Sequence, residues 1–298
     1  MEAKQTPDWQ ALLSRFDDLL ARLDHWLPAP STPPDWEKVT AGRWQGEPGR
    51  GAVLAIAHPH DIQLADLQGI ATQKQQLDRN TRQFLQGLPA NNALLWGAKG
   101  TGKSSLIKAL LNSYAAQGLR LLEVEKQHLA ELPTIVDSLR GRSQRFIVFS
   151  DDLSFEPNDA SYKALKSVLD GSISTAPDNV LIYATSNRRH LLPEYMQDNF
   201  DARHVNEELH QGEAVEEKIS LSERFGLWLS FYPFNQDEYL AIVDYWLQRF
   251  GLSGIVQPET RQAALQWALT RGSRSGRAAW QFARDWAGQQ QLKELPLR

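Results

Sequence analysis

Apolar residues near the start of the chain fall at Trp9, Leu12, Leu13, Phe16, Leu19, Leu20, Leu23, Trp26 and Leu27, with Arg15, Asp17, Asp18 and Asp24 between them. Steps of three and four are the helical period, so residues 1–27 are expected to form an amphipathic helix. Its stripe either packs on the chain's own next domain or docks on a partner. Residues 28–51 carry five prolines (Pro28, Pro30, Pro33, Pro34, Pro48) and Gly42, Gly46 and Gly49, and read as a linker in which neither a helix nor a central strand persists, with Trp36 and Trp44 pinning it to a surface. From 52 to 232 apolar runs of strand length (Ala93–Trp96, Leu119–Val124, Phe146–Phe149, Val180–Ala184, Leu227–Tyr232) alternate with helical patterns at 70–86, 103–117, 128–140 and 160–169. That alternation predicts an α/β domain built on a mainly parallel sheet. The polar segment 198–220, with Glu207, Glu208, Glu213, Glu216 and Glu217, interrupts it. From 233 to 298 only helical patterns remain, at about 235–250, 258–270 and 276–289, and predict a small helical domain.

Composition narrows the class. With 42% hydrophobic and 23% charged residues the chain is a folded globular protein, and a formal net charge of −4 leaves no general basic coat for nucleic acid. Direct nucleic-acid binding would have to use a local patch such as Lys163 with Lys166, or Arg140, Arg142 and Arg145; such charge runs also serve as plain solvated faces, and nucleic acid is the less favoured partner. The absence of cysteine removes disulfides, thiolate chemistry and Cys-ligated metals. No apolar run approaches the ~18 residues of a membrane span, and Glu2, Lys4, Pro7 and Asp8 do not resemble a secretion signal. A cytoplasmic protein without membrane contact is expected.

The sharpest chemical signal is Gly97-Ala98-Lys99-Gly100-Thr101-Gly102-Lys103-Ser104, which follows a predicted strand and opens a predicted helix through Ser105. The spacing G-x-x-x-x-G-K-[ST] in that context is a phosphate loop: glycines let successive N–H groups face phosphate oxygens, Lys103 reaches the terminal phosphates, and the Ser104 hydroxyl can ligate Mg²⁺. A nucleoside triphosphate with Mg²⁺ needs a carboxylate on a neighbouring strand. Phe146-Ile147-Val148-Phe149-Ser150-Asp151-Asp152 supplies Asp151 as the metal carboxylate, and Asp152 either as the group that polarises the attacking water or as a helix cap. Asn187, closing Tyr183-Ala184-Thr185-Ser186-Asn187, either orients that water or belongs to an ordinary turn. Arg188 and Arg189 follow as secondary candidates for phosphate or a partner's acidic loop. Arg224, ahead of the last strand, and Arg277, at the start of a C-terminal helix, suit phosphate recognition or structural ion pairs equally.

As an ordered set these residues resemble an AAA+ ATPase, and Asn92–Ser105, Phe146–Glu156 and Tyr183–Pro193 resemble the bacterial ATP-binding family catalogued as domain of unknown function family 815. The resemblance runs from about residue 50 to 290. It implies a P-loop NTPase sheet in the AAA+ strand order, a C-terminal helical lid, and ATP or ADP between them. By position, Asp66-Leu67-Gln68-Gly69-Ile70 resembles the segment flanking the adenine, with Leu67 and Ile70 as contacts; Arg224 resembles the finger that reaches a neighbour's γ-phosphate, and Arg277 the lid sensor. One departure concerns the hydrolytic base: most AAA+ hydrolases carry Asp-Glu where this chain has Asp151-Asp152, a side chain shorter by roughly 1.5 Å. Glu156 would substitute only if the turn folded back.

Two functional classes follow. The first is an oligomeric, Mg²⁺-dependent ATPase with an arginine finger supplied in trans, which remodels or loads an unidentified protein partner. The second is a slow-hydrolysing, nucleotide-gated binding module. Protein threading is disfavoured, because no aromatic–hydrophobic–Gly loop occurs between Val124 and Arg145. A small-molecule kinase ranks last, since 198–220 is acidic rather than a basic lid.

Overall fold

The computed structural model describes residues 9–10, 13–16, 33–46, 51–155, 159–170, 177–189, 191, 203–205, 208–210, 221–255 and 257–294. In the α/β part, apolar runs become strands whose two faces are both covered. The strands are β1 (Ala41–Gln45), β2 (Ala52–Ala55), β3 (Ala93–Gly97), β4 (Leu119–Glu123), β5 (Arg145–Ser150), β6 (Val180–Ser186), β7 (Arg203–Val205), β8 (Glu208–His210) and β9 (Leu227–Phe231). All but β7 and β8 form one sheet in the order β2-β1-β4-β5-β6-β3-β9, parallel throughout except for β2. Alternate residues serve opposite faces: Phe146 and Val148 of β5 join one core, with Leu94, Val180 and Ile182, while Ile147 and Phe149 join the other, with Leu95, Leu181 and Tyr183. Each fully buried Phe or Leu contributes roughly 1.5–3 kcal/mol, and this is why the strands read as continuous apolar runs rather than alternating ones.

Helix α1 (Ala71–Leu85) lies between β2 and β3, α2 (Lys103–Tyr114) between β3 and β4, α3 (Leu132–Ser138) between β4 and β5, and α4 (Ala160–Asp170) between β5 and β6. The short strands β7 and β8 pair antiparallel inside the polar segment, where the sequence pattern predicts no strand. The C-terminal part is helical: α5 (Gln236–Arg249), α6 (Pro258–Thr270) and α7 (Gly276–Glu294). Asn235 and Glu238 start α5 with a reciprocal capping box, Oδ1 accepting from Glu238 N at 2.9 Å and Oε2 accepting from Asn235 N at 2.8 Å, a device of about 1 kcal/mol. Pro258 occupies the first turn of α6, where its missing N–H costs nothing.

One expectation is overturned. The Pro/Gly-rich stretch 28–51 contains β1, a central strand paired with β2 on one side and β4 on the other, so the sheet begins ahead of residue 52. Trp36 and Trp44 are buried in the domain's core, Trp36 packing edge-on against Phe146 at 5.0 Å. Gly42 makes room for this: a Cβ there would sit 2.6 Å from Val53 and 3.0 Å from the Trp36 ring. Near the N-terminus residues 9–10 and 13–16 are helical, but Trp9, Leu13 and Phe16 are 60–68% exposed, so these three do not pack on the chain's own domain. Leu12, Leu19, Leu20, Leu23, Trp26 and Leu27 lie outside the described residues. Among the described residues no helix is long and apolar enough to cross a membrane.

Candidate functional site

The strand order decides which loops meet. Because β6 lies between β5 and β3, the residues after β6 stand between the acidic pair and the phosphate loop, all at the carboxyl ends of parallel strands, the edge where such sheets form their ligand crevices. Gly97 leaves β3 at φ +129, and a Cβ there would fall 1.9 Å from the Phe231 carbonyl oxygen, which accepts from Ala98 N at 3.0 Å. Only glycine permits that approach. Gly97→Ala is expected to destabilise the fold by more than ~3 kcal/mol through clash and backbone strain together. Urea unfolding measures it, and a loss under about 1 kcal/mol would refute the close approach.

The lysine of the loop is buried, only 6% exposed, and its Nζ donates to Gly97 O and Ala98 O, both at 2.8 Å, and to Asn187 Oδ1 at 3.2 Å. Burial lowers the Lys103 pKa from its ordinary value; Asp151 and Asp152 act against the shift, while Lys99 and Arg277 add to it. Thr101 Oγ1 donates to Ala98 O at 2.8 Å. Asn187 uses both ends of its amide: its oxygen accepts from Lys103 and its nitrogen donates to Asp152 Oδ1. Asp151 Oδ1 accepts from Ser104 Oγ at 2.6 Å and from Thr185 Oγ1 at 2.5 Å. The capping alternative for Asp152 is not realised, since the next helix, α4, starts only at Ala160. Glu156 lies outside the described residues.

A cleft of about 810 Å³ rises from this floor, lined by Lys99–Ser105, Asp151, Asp152, Thr185 and Asn187. One wall is the segment 60–70 with Leu67 and Ile70; the other is the helical part, with Ile242 and Trp246 from α5 and Trp280 from α7. Buried Asp66 ties the walls together, accepting from Gln63 N at 2.8 Å and from the Tyr245 hydroxyl of α5 at 2.6 Å. Burial first, and the Asp66 bond second, push the Tyr245 phenol up to about 12. Ser275 caps α7, and Arg277 N donates to Gly100 O at 3.3 Å, so the helix begins directly against the phosphate loop.

The structure thus brings Lys99, Gly100, Thr101, Gly102, Lys103, Ser104, Ser105, Leu67, Ile70, Asp151, Asp152, Asn187 and Arg277 around one cleft, while Gly97 lies outside its lining and accepts from Lys103 through its carbonyl. Arg224 is elsewhere: it lies outside the cleft lining, and its Nε donates to Asp170 Oδ1 at the end of α4. Arg189 stacks over the Trp96 ring at 5.7 Å. Sequence reasoning missed Thr185, Phe234, Ile242, Trp246, Arg249 and Trp280 as site residues. Trp246 and Trp280 have the same helical spacing as core residues, so no local signal separates them. The donor set suits a hard cation: Ser104 and Asp151 present adjacent hydroxyl and carboxylate oxygens, and among the described residues no three of His, Cys, Asp and Glu converge to form an all-protein cage. Mg²⁺ characteristically takes one or two carboxylates and completes its shell with water and phosphate.

The family model described as "Protein of unknown function (DUF815)" matches residues 37–290. No curated protein matches the chain. Among solved structures, the Orc1 protein of Aeropyrum pernix in complex with DNA is 17% identical with a TM-score of 0.50, over 75% of this chain and 59% of that one. The RuvB Holliday junction branch migration motor of Thermotoga maritima is 13% identical with a TM-score of 0.41, over 75% and 71%. A single-substitution variant of the same Thermotoga maritima RuvB gives 14%, 0.42, and 74% and 71%. At these identities the likeness concerns the fold alone.

Proposed function

The chain belongs to the DUF815 family and has the AAA+ P-loop fold, and from that premise we propose that it binds ATP with Mg²⁺ in the cleft and hydrolyses it. The observation that carries this reading is the bonded series Lys103–Asn187–Asp152, beside Ser104–Asp151, at the foot of a cleft of nucleotide size. The base lies against Leu67 and Ile70, and the phosphates take the loop's N–H groups. Lys103 exchanges its Asn187 contact for a phosphate oxygen, and Arg277 adds a charge from the lid. Ser104 and Asp151 would hold Mg²⁺, which supplies charge neutralisation at the phosphates. Asp152 accepts the proton of a water attacking the γ-phosphorus as the bond to the ADP oxygen breaks, and Asn187 holds Asp152 in place for that transfer.

The working form is an oligomer in which Arg224 reaches the neighbour's nucleotide, and turnover moves the lid to remodel or load an unidentified protein partner. The test is ATP hydrolysis per chain across a protein-concentration series, with Mg²⁺ and with a chelator. Activity that rises with concentration and vanishes with the chelator is expected. A rate flat under dilution would sink the shared site, and tight ATP binding without turnover would leave a nucleotide-gated module in place of the ATPase.

A further inference from the structure

Thr185 is 1% exposed and lies near the end of β6, directly beside the two carboxylates that follow β5. A hydroxyl has one proton and two lone pairs, and here the proton goes to Asp151 Oδ1 at 2.5 Å while a lone pair accepts Asp152 N at 2.9 Å. The same turn is stitched on its far side, where Leu153 N donates to Thr185 O at 2.7 Å and Ser186 Oγ donates to Leu153 O at 2.8 Å. Between these bonds Asp152 adopts φ +54, the one described non-glycine residue in the left-handed region. Aspartate tolerates that conformation better than most residues, yet it persists only where the surroundings enforce it. Its carboxylate accepts from Asn187, on the Lys103 side of the floor.

We propose that Thr185 is a positioning residue: through one hydroxyl it sets the Asp151 carboxylate for the cation and holds the left-handed turn that delivers the short Asp152 side chain to the reacting water. The reach that a glutamate would have by its extra carbon is supplied by the backbone. This inference rests on the ATPase reading above.

The test compares Thr185→Val, which keeps the shape and removes the hydroxyl, with Thr185→Ser, which keeps the hydroxyl and removes the methyl. ATP affinity is titrated at a series of Mg²⁺ concentrations, and kcat and KM are measured separately. For the valine variant the Mg²⁺ midpoint for nucleotide binding is expected to rise, and kcat to fall, by about 10–100-fold, the usual cost of losing a group that orients a metal ligand. ATP affinity in the absence of Mg²⁺ changes little, KM for Mg·ATP rises with the midpoint, and the serine variant restores the readings. Valine behaviour equal to wild type, or serine falling as far as valine, would overturn the proposal. Thr185→Ala replaces the valine variant if that one does not fold, and failure of both to fold assigns Thr185 a purely structural role. Wild-type protein that binds ATP without turning it over defeats hydrolysis but leaves the Mg²⁺ midpoint to decide Thr185; wild-type protein that binds no ATP defeats both.

Discussion

Lys103→Ala is expected to lower ATP affinity by about 10²–10³-fold and to bring hydrolysis below detection, the scale on which a single preorganised charged donor acts in a dry site. The ammonium's three N–H donors meet three acceptors: Gly97 O, Ala98 O and Asn187 Oδ1. The group is buried and held by the loop it serves, so its charge is aimed from within a low-dielectric site. Asn187, the longest of the three contacts, is the partner most readily exchanged for a phosphate oxygen. Alanine removes the charge and leaves two loop carbonyls without their donor. Lys103→Arg is expected to rescue little, because a planar guanidinium fork does not reproduce three donors radiating from one nitrogen. Calorimetric titration with ATP reads both variants, and an alanine variant within threefold of wild type would show that Lys103 does not meet the nucleotide.

Much of this site was legible in the sequence because its chemistry is contiguous. The phosphate loop, the Asp151-Asp152 pair and Asn187 each end an apolar run, and parallel strands with both faces covered announce themselves by such runs. What escaped depends on through-space geometry. Strand β1 reads as linker because Gly42 counts as a breaker in one dimension, whereas in the fold its missing side chain is the space that Trp36 and Val53 occupy. Thr185 stands in the same run as Asn187, but its importance lies in bonds to two residues beyond another strand. The shortfall of Asp152 relative to glutamate was visible as a side-chain length; its remedy, a positive φ, is a backbone property that no composition reveals. The lid tryptophans Trp246 and Trp280 carry the spacing of core residues, and only the placement of α5 and α7 over the loop turns them toward the cleft.

Arg224→Ala is expected to reduce hydrolysis by about 10³-fold or more while leaving ATP affinity within threefold, since arginine fingers contribute 10³–10⁵ in phosphoryl transfer. Within one chain this residue sits on the turn ahead of β9, bonded to Asp170, whereas the arginines lining the chain's own cleft are Arg249 and Arg277. Under the proposed function, an arginine so placed would serve a second copy. The decisive measurement mixes Arg224→Ala with Asp151→Ala. Neither chain alone has both an intact cleft and a neighbour's finger, but at random assembly in equal amounts about one interface in four joins the intact cleft of the first to the intact finger of the second, as head-to-tail packing of identical chains requires. Recovery toward a quarter of wild-type activity supports the shared site. Co-assembled chains that stay as inactive as either variant alone would show that Arg224 does not reach across, and would return it to its bond with Asp170 as a structural pair.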